Sequence, residues 1–225
     1  MIDTTVKVAD KLVGEYDIIP NPWIKEFYNE NQELVSVEFH GITKIRSNAF
    51  NSCTNLALTS LPESLTSIGD SAFFDCTNLA LTSLPESLTS IEFGAFVSCT
   101  NLALTSLPEG LTSIGAGAFS SCTNLALTSL PDGLTVIPME AFSSCTNLAL
   151  TSLPEGLTSI ESGAFANCTS LTSITFKGTP TTIESIAFDG CTNLTDIKVP
   201  WAEGAVANAP WGATNATITY NYVGE

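Results

Sequence analysis

Apolar residues recur along this chain at a fixed interval of 23 residues, with the same pattern inside each interval. Taken from Cys53, one unit has leucine or isoleucine at positions 56, 58, 61, 65 and 68, followed by Ala72 and Phe73. Polar and turn-forming residues separate these positions, and no 3.6-residue period runs through the unit. The pattern excludes a long amphipathic helix and indicates short elements joined by turns.

Cysteine and phenylalanine mark the repeat most clearly. The seven cysteines, each 23 residues after the last, are Cys53, Cys76, Cys99, Cys122, Cys145, Cys168 and Cys191. The phenylalanines three residues before them are Phe50, Phe73, Phe96, Phe119, Phe142, Phe165 and Phe188. The ten residues CTNLALTSLP recur verbatim from each of the first five cysteines. A fixed period of this length with leucines at set offsets indicates a leucine-rich solenoid.

Each unit predicts three short elements. The segment Leu56 to Leu61 predicts a strand, because it is too short for a stable helix and ends at a proline. A second short strand is expected around Thr66 to Ile68, and Ser71 to Cys76 predicts one helical turn. The predicted fold class is an α/β solenoid, a right-handed leucine-rich repeat array of about eight coils of 22–23 residues, with a cap at each end.

The two ends of the chain depart from the repeat, as the ends of a solenoid must. The expected divisions are an N-terminal cap over residues 1–32, the solenoid over 33–200 and a C-terminal cap over 201–225. In the first cap, Asn21-Pro22-Trp23 predicts a helix start, and a second weak helix is expected over Thr5 to Val13. In the last, Trp201 to Trp211 predicts a loop or short helix, followed by a closing strand over Ala216 to Tyr222.

The repeated string C-T-N-L, a leucine-proline pair, then L-T-S-I-G and A-F, resembles the BspA-like bacterial leucine-rich repeat family, also described as the Treponema pallidum type. The resemblance covers about residues 33–200. It implies extracellular binding or adhesion without enzyme activity, and it transfers no catalytic residue. The tail from Val199 to Thr217 also resembles the closing segment of repeat proteins from gut bacteria and their prophages.

The five identical units depart from the strand spacing usual in that family, which Leu171, Ile174 and Phe176 follow. If the strand keeps the usual register, one leucine per unit points outward, and together they form an apolar stripe suited to binding. These leucines are Leu58, Leu81, Leu104, Leu127 and Leu150. A bulge would instead turn them into the core and expose the threonines. The sequence leaves both arrangements open.

The cysteines are expected to be free thiols in a core column that they share with the phenylalanines. Equivalent residues of stacked coils lie close enough for a disulfide, yet their parallel side chains keep the sulfurs apart, and seven is an odd number. A zinc site needs converging ligands, whereas these residues form a line. We therefore predict buried small hydrophobes, with neither disulfides nor bound metal.

Variation between the identical units concentrates between the isoleucine and the next cysteine. Large apolar residues occur there at Phe74, Phe93 and Met139. These residues are candidate anchors for a partner, and the alternative is that the positions are under weak constraint.

Charge limits the classes of partner. The 23 acidic and seven basic residues give a net charge of −16, which repels nucleic acid and anionic membrane surfaces. No apolar run is long enough to span a membrane, and the charged N-terminus lacks a signal-peptide pattern. An acidic row follows the repeat prolines at Glu63, Glu86, Glu109, Asp132 and Glu155. Solvation explains this row better than weak calcium binding does.

The sequence therefore predicts a binding module with no cofactor and no catalytic activity. His40 is the only histidine, so the chain offers a single imidazole for a histidine-based catalytic triad or a metal cluster. The expected role is surface adhesion or receptor recognition through protein or glycan contacts. The alternative is a structural spacer or phage-particle component without its own ligand. The resemblance places the protein outside the cell or at its surface, and the missing export pattern leaves a phage particle or the cytoplasm open.

Overall fold

The chain forms a solenoid of stacked coils with a small antiparallel sheet at its N-terminal end. This computed structural model describes residues 5–8 and 23–224, with side chains from residue 26 onward. The strands of this part of the chain are β1 (Thr5–Val8), β2 (Trp23–Tyr28), β3 (Leu34–His40), β4 (Lys44–Ile45), β5 (Ser67–Ile68), β6 (Ser90–Ile91), β7 (Ser113–Ile114), β8 (Val136–Ile137), β9 (Ser152–Leu153), β10 (Ser159–Ile160), β11 (Ser173–Phe176), β12 (Thr182–Ile183), β13 (Asp196–Lys198) and β14 (Thr217–Thr219).

The N-terminal region is a sheet rather than the expected pair of helices. Strand β2 pairs in antiparallel fashion with β1 on one edge and with β3 on the other. The helix predicted from Asn21-Pro22 is therefore wrong, because β2 is rich in aromatic and β-branched residues and has a pairing partner on each side. The weak helix predicted over Thr5 to Val13 is wrong over β1, and its remainder lies outside the described residues.

The strand predicted around Thr66 to Ile68 is confirmed and forms a parallel ladder. Strands β4 to β7 pair in sequence, with the isoleucine of each coil opposite that of the next. Strands β8, β10 and β12 continue the same repeat position in the later coils. The isoleucines of this ladder are buried, which fixes the side of each coil that faces the core.

The strand predicted over Leu56 to Leu61 is wrong for the first four identical units, and in the fifth only Ser152–Leu153 of the equivalent segment form a strand, β9. Leu56 and Leu58 are buried and Ala57 is exposed, but two exposed residues then precede buried Leu61. The extra residue interrupts the two-residue alternation that a strand requires. Pairing returns in the later part of the array, where β9, β11, β13 and β14 form a parallel sheet.

The helical turn predicted over Ser71 to Cys76 is also wrong, since the described residues contain strands and turns but no helix. Every second N–H of this segment donates to the following coil, as from Ser71 to the Phe93 carbonyl and from Phe73 to the Ala95 carbonyl, both at 2.8 Å. Ser71 and Asp75 have φ of 51° and 56°, outside the right-handed helical region. The segment is a series of tight turns bonded from coil to coil.

A column of stacked aromatic rings fills the centre of the array. The seven repeat phenylalanines are fully buried, and successive rings lie 5.2–5.6 Å apart with interplanar angles of 2–16°. At the C-terminal end, Trp201 and Trp211 pack with Phe176, at ring-centroid distances of 5.2 and 6.0 Å. The C-terminal segment thus covers the last coil with aromatic surface, and β14 lies within the predicted closing strand.

Candidate functional site

The leucines considered as an exposed binding stripe lie in the core. Leu58 is 5% exposed, Leu150 is 2% exposed, and Leu81, Leu104 and Leu127 are fully buried. The threonines that follow them are exposed instead. Of the two arrangements left open by the sequence, the outward-facing stripe is therefore excluded. The physical reason is that Leu56 and Leu58 keep a strict two-residue alternation, and the extra residue comes after them.

The cysteines form an interior column next to the phenylalanines. All seven are free, six are buried, and Cys53 at the front is half-buried. Each buried thiol donates to the carbonyl of the phenylalanine in the preceding coil, at Sγ to oxygen distances of 3.0–3.1 Å. Burial raises the pKa of the Cys76 and Cys145 thiols to about 12. These thiols are structural groups and poor nucleophiles at neutral pH.

The candidate anchors lie on the surface. Phe74 is 37% exposed, Phe93 59% and Met139 47%, on the edge of the solenoid formed by the coil-to-coil turns. Phe93 and Met139 occupy the same repeat position two coils apart, with Ala116 between them. We call the surface of these three anchors the variable edge. It presents large apolar side chains at positions where the coils differ in sequence.

Carboxylates of neighbouring coils fix the backbone of two anchors. The N–H of Phe93 donates to Asp70 Oδ1 at 3.2 Å, and the N–H of Met139 donates to Glu161 Oε2 at 2.9 Å. Because the backbones of Phe93 and Met139 are hydrogen-bonded to adjacent coils, little ordering of the backbone at these two anchors is required when a partner binds.

The variable edge lies in a negatively charged stretch of the chain. No lysine or arginine occurs between Arg46 and Lys177, whereas exposed Asp70, Glu92 and Glu140 lie close in sequence to the anchors. Such a surface attracts cationic partners and repels anionic ones.

A buried carboxylate in the N-terminal sheet was missed by sequence reasoning. Glu26 is 2% exposed, its Oε2 accepts a hydrogen bond from the Tyr28 hydroxyl, and its Oε1 has no hydrogen-bond partner among the described residues. Burial, followed by this hydrogen bond, raises the pKa of Tyr28 to about 12. The helix expected in this segment hid the pair, since strand alternation is what turns Glu26 inward.

Sequence reasoning also missed a groove of about 440 Å³ between β3 and the first repeat coil. In the sequence, the groove is signalled by a change in the spacing of apolar residues. The segment of β3 has them at Leu34, Val37 and Phe39, whereas the first repeat coil has them at Leu56, Leu58 and Leu61. Elsewhere, no group of three or more His, Cys, Asp or Glu residues suited to holding a metal occurs among the described residues. No described helix is long and apolar enough to cross a membrane.

Stacked coils, an interior column of repeat side chains and the leucine spacing define a leucine-rich repeat solenoid. Residues 24–149 and 113–204 match the family described as BspA type leucine rich repeat region, in six copies. The chain belongs to this family, which confirms the resemblance seen in the sequence. Comparison with curated proteins finds no significant match.

Solved structures with similar folds come from several bacteria. A leucine rich cell surface protein from Faecalibacterium prausnitzii is 19% identical, with 80% of this chain and 71% of that chain covered and a TM-score of 0.51. A leucine-rich repeat protein from Eubacterium ventriosum is 21% identical, with coverage of 86% and 49% and a TM-score of 0.56. A leucine-rich repeat protein from T. pallidum is 26% identical, with coverage of 76% and 79% and a TM-score of 0.44.

Proposed function

We propose that the chain is a non-enzymatic binding module that recognises a protein or glycan at a cell surface through its variable edge. The observation that carries this proposal is the exposure of Phe74, Phe93 and Met139 on one edge of an array whose repeat leucines, isoleucines and phenylalanines are buried. Large apolar side chains on a rigid surface are typical of the residues that dominate binding energies. Membership of the family supports the same class of function.

The shape of the solenoid suits this role. Each coil is fixed to its neighbours by backbone hydrogen bonds and by the phenylalanine column, so anchors in different coils keep constant distances. A partner can therefore contact several coils at once without reorganising the array. The negative charge around the anchors favours a partner with a basic rim, because unlike charges speed association and exclude competitors.

The experiment compares two triple variants in binding to the surface of cultured epithelial cells. Replacing Phe74, Phe93 and Met139 by alanine removes the anchors, and we expect saturable binding to fall by at least about tenfold. The matched control, Thr82→Ala, Thr105→Ala and Thr128→Ala, changes exposed residues of the repeat segment that follows the buried leucines. Unchanged binding by the anchor variant, at equal thermal stability, would contradict the proposal.

The alternative of a structural spacer without its own ligand rests on the identity of five successive coils in the ten residues from each cysteine. Identical coils extend an array without adding distinct contact surfaces. Absence of saturable binding by the unmodified protein, across cell preparations of different origin, would favour this alternative over the binding module.

A further inference from the structure

Strand β14 is the last member of the parallel sheet at the C-terminal end of the solenoid. It pairs with β13 on one edge, and no described strand pairs with its other edge. The pairing with β13 is regular, without a register shift, and it sets Ile218 opposite Ile197. The hydrogen-bonded ladder of the later coils therefore stops at the outer edge of β14.

The backbone of Ile218 points away from β13. The Thr217 N–H donates to the Thr195 carbonyl at 2.9 Å. The Thr219 carbonyl accepts from the Val199 N–H, also at 2.9 Å. Thr217 and Thr219 therefore face β13. Because the peptide groups of successive residues alternate along a strand, the N–H and C=O of Ile218 face outward.

The backbone of Tyr220 also faces outward. In a trans peptide, a C=O and the N–H that follows it point in opposite directions. The Thr219 carbonyl is bonded inward, and so is the Asn221 N–H, which donates to the Trp201 carbonyl at 3.0 Å. The N–H and C=O of Tyr220 must therefore point outward. Among the described residues, no group forms a hydrogen bond with the outward N–H and C=O of Tyr220 or Ile218.

The residues after β14 turn away from this edge. Asn221 has a φ of 54°, in the left-handed region, which bends the chain back toward β13. The Tyr222 N–H then donates to the Val199 carbonyl at 3.0 Å. The Lys198 ammonium lies 5.3 Å from the centre of the Tyr222 ring. Tyr222 thus lies beside β13, and the outer edge of β14 stays open.

The sequence of the edge does not discourage pairing with another chain. Natural edge strands carry charges, proline or a bulge that prevent such pairing. Residues 217–222 contain no charge and no proline, and they are mostly threonine, isoleucine and tyrosine, which favour strands. The side chains of Ile218 and Tyr220 are half-buried and pack against the core of the last coil. The edge is therefore ordered and suited to a further strand.

Charge favours a second copy of the chain, joined end to end, as the source of that strand. Residues 47–167 contain ten acidic residues and no basic one, so two copies that lie side by side repel each other. Residues 168–224 contain four acidic residues, and Lys177 and Lys198 offset two of them. The acidic row that follows the repeat prolines ends at Glu155. The C-terminal end thus repels a like copy less than the central coils do.

We propose that two copies of the chain associate tail to tail, with their β14 strands paired in antiparallel fashion about a twofold axis at Thr219. In this register Ile218 of each copy lies opposite Tyr220 of the other. The two residues of such a pair exchange both of their backbone hydrogen bonds, so the dimer forms four. Each pair also sets a β-branched side chain against an aromatic one, a favourable cross-strand contact.

The bonded state of the neighbouring residues selects this register. A shift by two residues in either direction would place an outward residue opposite Ala216 or Tyr222. The N–H groups of both are already used, by the Ala213 carbonyl and the Val199 carbonyl. Only pairing about Thr219 gives all the outward groups of Ile218 and Tyr220 a partner. The contact is isologous, so it closes at two copies and does not extend into a fibre.

Cysteine cross-linking tests the register in the full chain. Thr219 is exposed and lies opposite its own copy at a position without backbone hydrogen bonds, where Cα atoms are about 4.5 Å apart, within disulfide range. We expect Thr219→Cys to form a covalent dimer under mild oxidation. The matched control is Thr217→Cys, on the same face of β14 but opposite Asn221, which should stay monomeric on a non-reducing gel. The unmodified protein shows any cross-linking through half-buried Cys53.

Sedimentation equilibrium tests the contact itself. We expect a monomer–dimer equilibrium in the unmodified protein. Thr219→Lys should weaken it at least about tenfold, because it sets like charges directly opposite each other. Thr172→Lys adds the same charge at an exposed site in the coil that carries β11, and it should leave the equilibrium unchanged. Circular dichroism checks that both variants fold.

Three results would overturn the proposal. A protein that stays monomeric at every concentration would leave the edge to an extended segment of a different protein. Equal cross-linking of Thr217→Cys and Thr219→Cys would exclude the register. Dimerisation that Thr219→Lys leaves unchanged or strengthens would place the contact elsewhere. The β14 edge shares no residue with the variable edge, so none of these results bears on the proposed function.

Discussion

Replacement of Phe73 by alanine tests whether the aromatic column holds the coils together. The Phe73 ring is fully buried, with the rings of Phe50 and Phe96 on either side at 5.2 and 5.4 Å and interplanar angles of 16° and 5°. Phe73→Ala deletes one member of this stack and leaves a space bounded by the coils above and below. Both neighbouring rings lose a contact surface.

The expected loss follows from how little the coils can move. A buried phenylalanine replaced by alanine costs about 3–5 kcal/mol, and the larger values occur where the cavity does not collapse. Here the N–H of Phe50 donates to the Ala72 carbonyl and the N–H of Phe73 donates to the Ala95 carbonyl, both at 2.8 Å, so the backbones of three coils are fixed at the site. Because collapse is prevented, we expect a loss of about 4–5 kcal/mol in the free energy of unfolding.

The assay is urea unfolding followed by circular dichroism, with Phe74→Ala as the adjacent control. Phe74 is 37% exposed and outside the column, so its removal should cost less than about 1 kcal/mol. The slope of each transition must be compared, since a weakened coil can divide the array into two cooperative units. If Phe73→Ala cost no more than Phe74→Ala, the inference that the stacked rings hold the array together would be refuted.

Three further predictions concern the turn geometry and the thiols. Gly163 has a φ of 63°, in the left-handed region, so Gly163→Ala should lower the free energy of unfolding by about 1 kcal/mol. The control is Gly156→Ala, at a glycine outside the left-handed region, which should leave the free energy of unfolding unchanged or raise it by about 0.4–1 kcal/mol. Urea unfolding measures both changes. Burial raises the pKa of the column thiols above their ordinary value of 9.0, as at Cys122, so the unfolded chain ionises first as the pH rises. The contribution of the thiols to the free energy of unfolding should therefore be complete below about pH 8. Above about pH 9 it should fall by about 1.4 kcal/mol per pH unit for each buried thiol. Urea titrations at about pH 8 and pH 10 should show a shallower fall for Cys122→Ala than for the unmodified protein. Iodoacetamide should modify only half-buried Cys53 in the native protein, and peptide mass spectrometry showing a second modified cysteine would contradict the described burial.

The repeat and its core could be predicted from the sequence because they depend on side-chain chemistry at a fixed spacing. A residue type that returns every 23 positions indicates equivalent environments, and the buried phenylalanines and six buried cysteines confirm this inference. The short strands ending at the repeat isoleucines are confirmed for the same reason.

The elements that sequence reasoning got wrong depend on bonds between coils. Asp70 and Ser71 are good local signals for a helix start, but the Ser71 N–H donates to Phe93 in the following coil, far along the chain. The segment Trp23–Tyr28 similarly finds strand partners on both edges, which overrides its local helix signal. Local patterns do not specify such distant partners.

The candidate site was only partly accessible to prediction. Exposure of Phe74, Phe93 and Met139 follows from their position at a turn edge, where side chains of variable type face solvent. The groove required knowledge of how two segments with different apolar spacing lie side by side. Each spacing is visible in the sequence, but the gap that results from their mismatch is a property of the packed structure.

Hydrogen bonds run in opposite directions on two sides of the solenoid. The Gly69 N–H points back to the Ile45 carbonyl of the preceding coil, whereas the Ser71 N–H points forward to Phe93. The peptide dipoles of the two sides therefore oppose each other along the axis, and the array lacks the summed dipole of an α-helix. Each end must satisfy both donors and acceptors, as at the rear, where the Trp211 carbonyl accepts from Phe188 and the Thr217 N–H donates to Thr195. Whole coils can therefore be inserted or deleted internally without altering what either terminus must satisfy, so the length of the array can change in evolution while its ends stay the same.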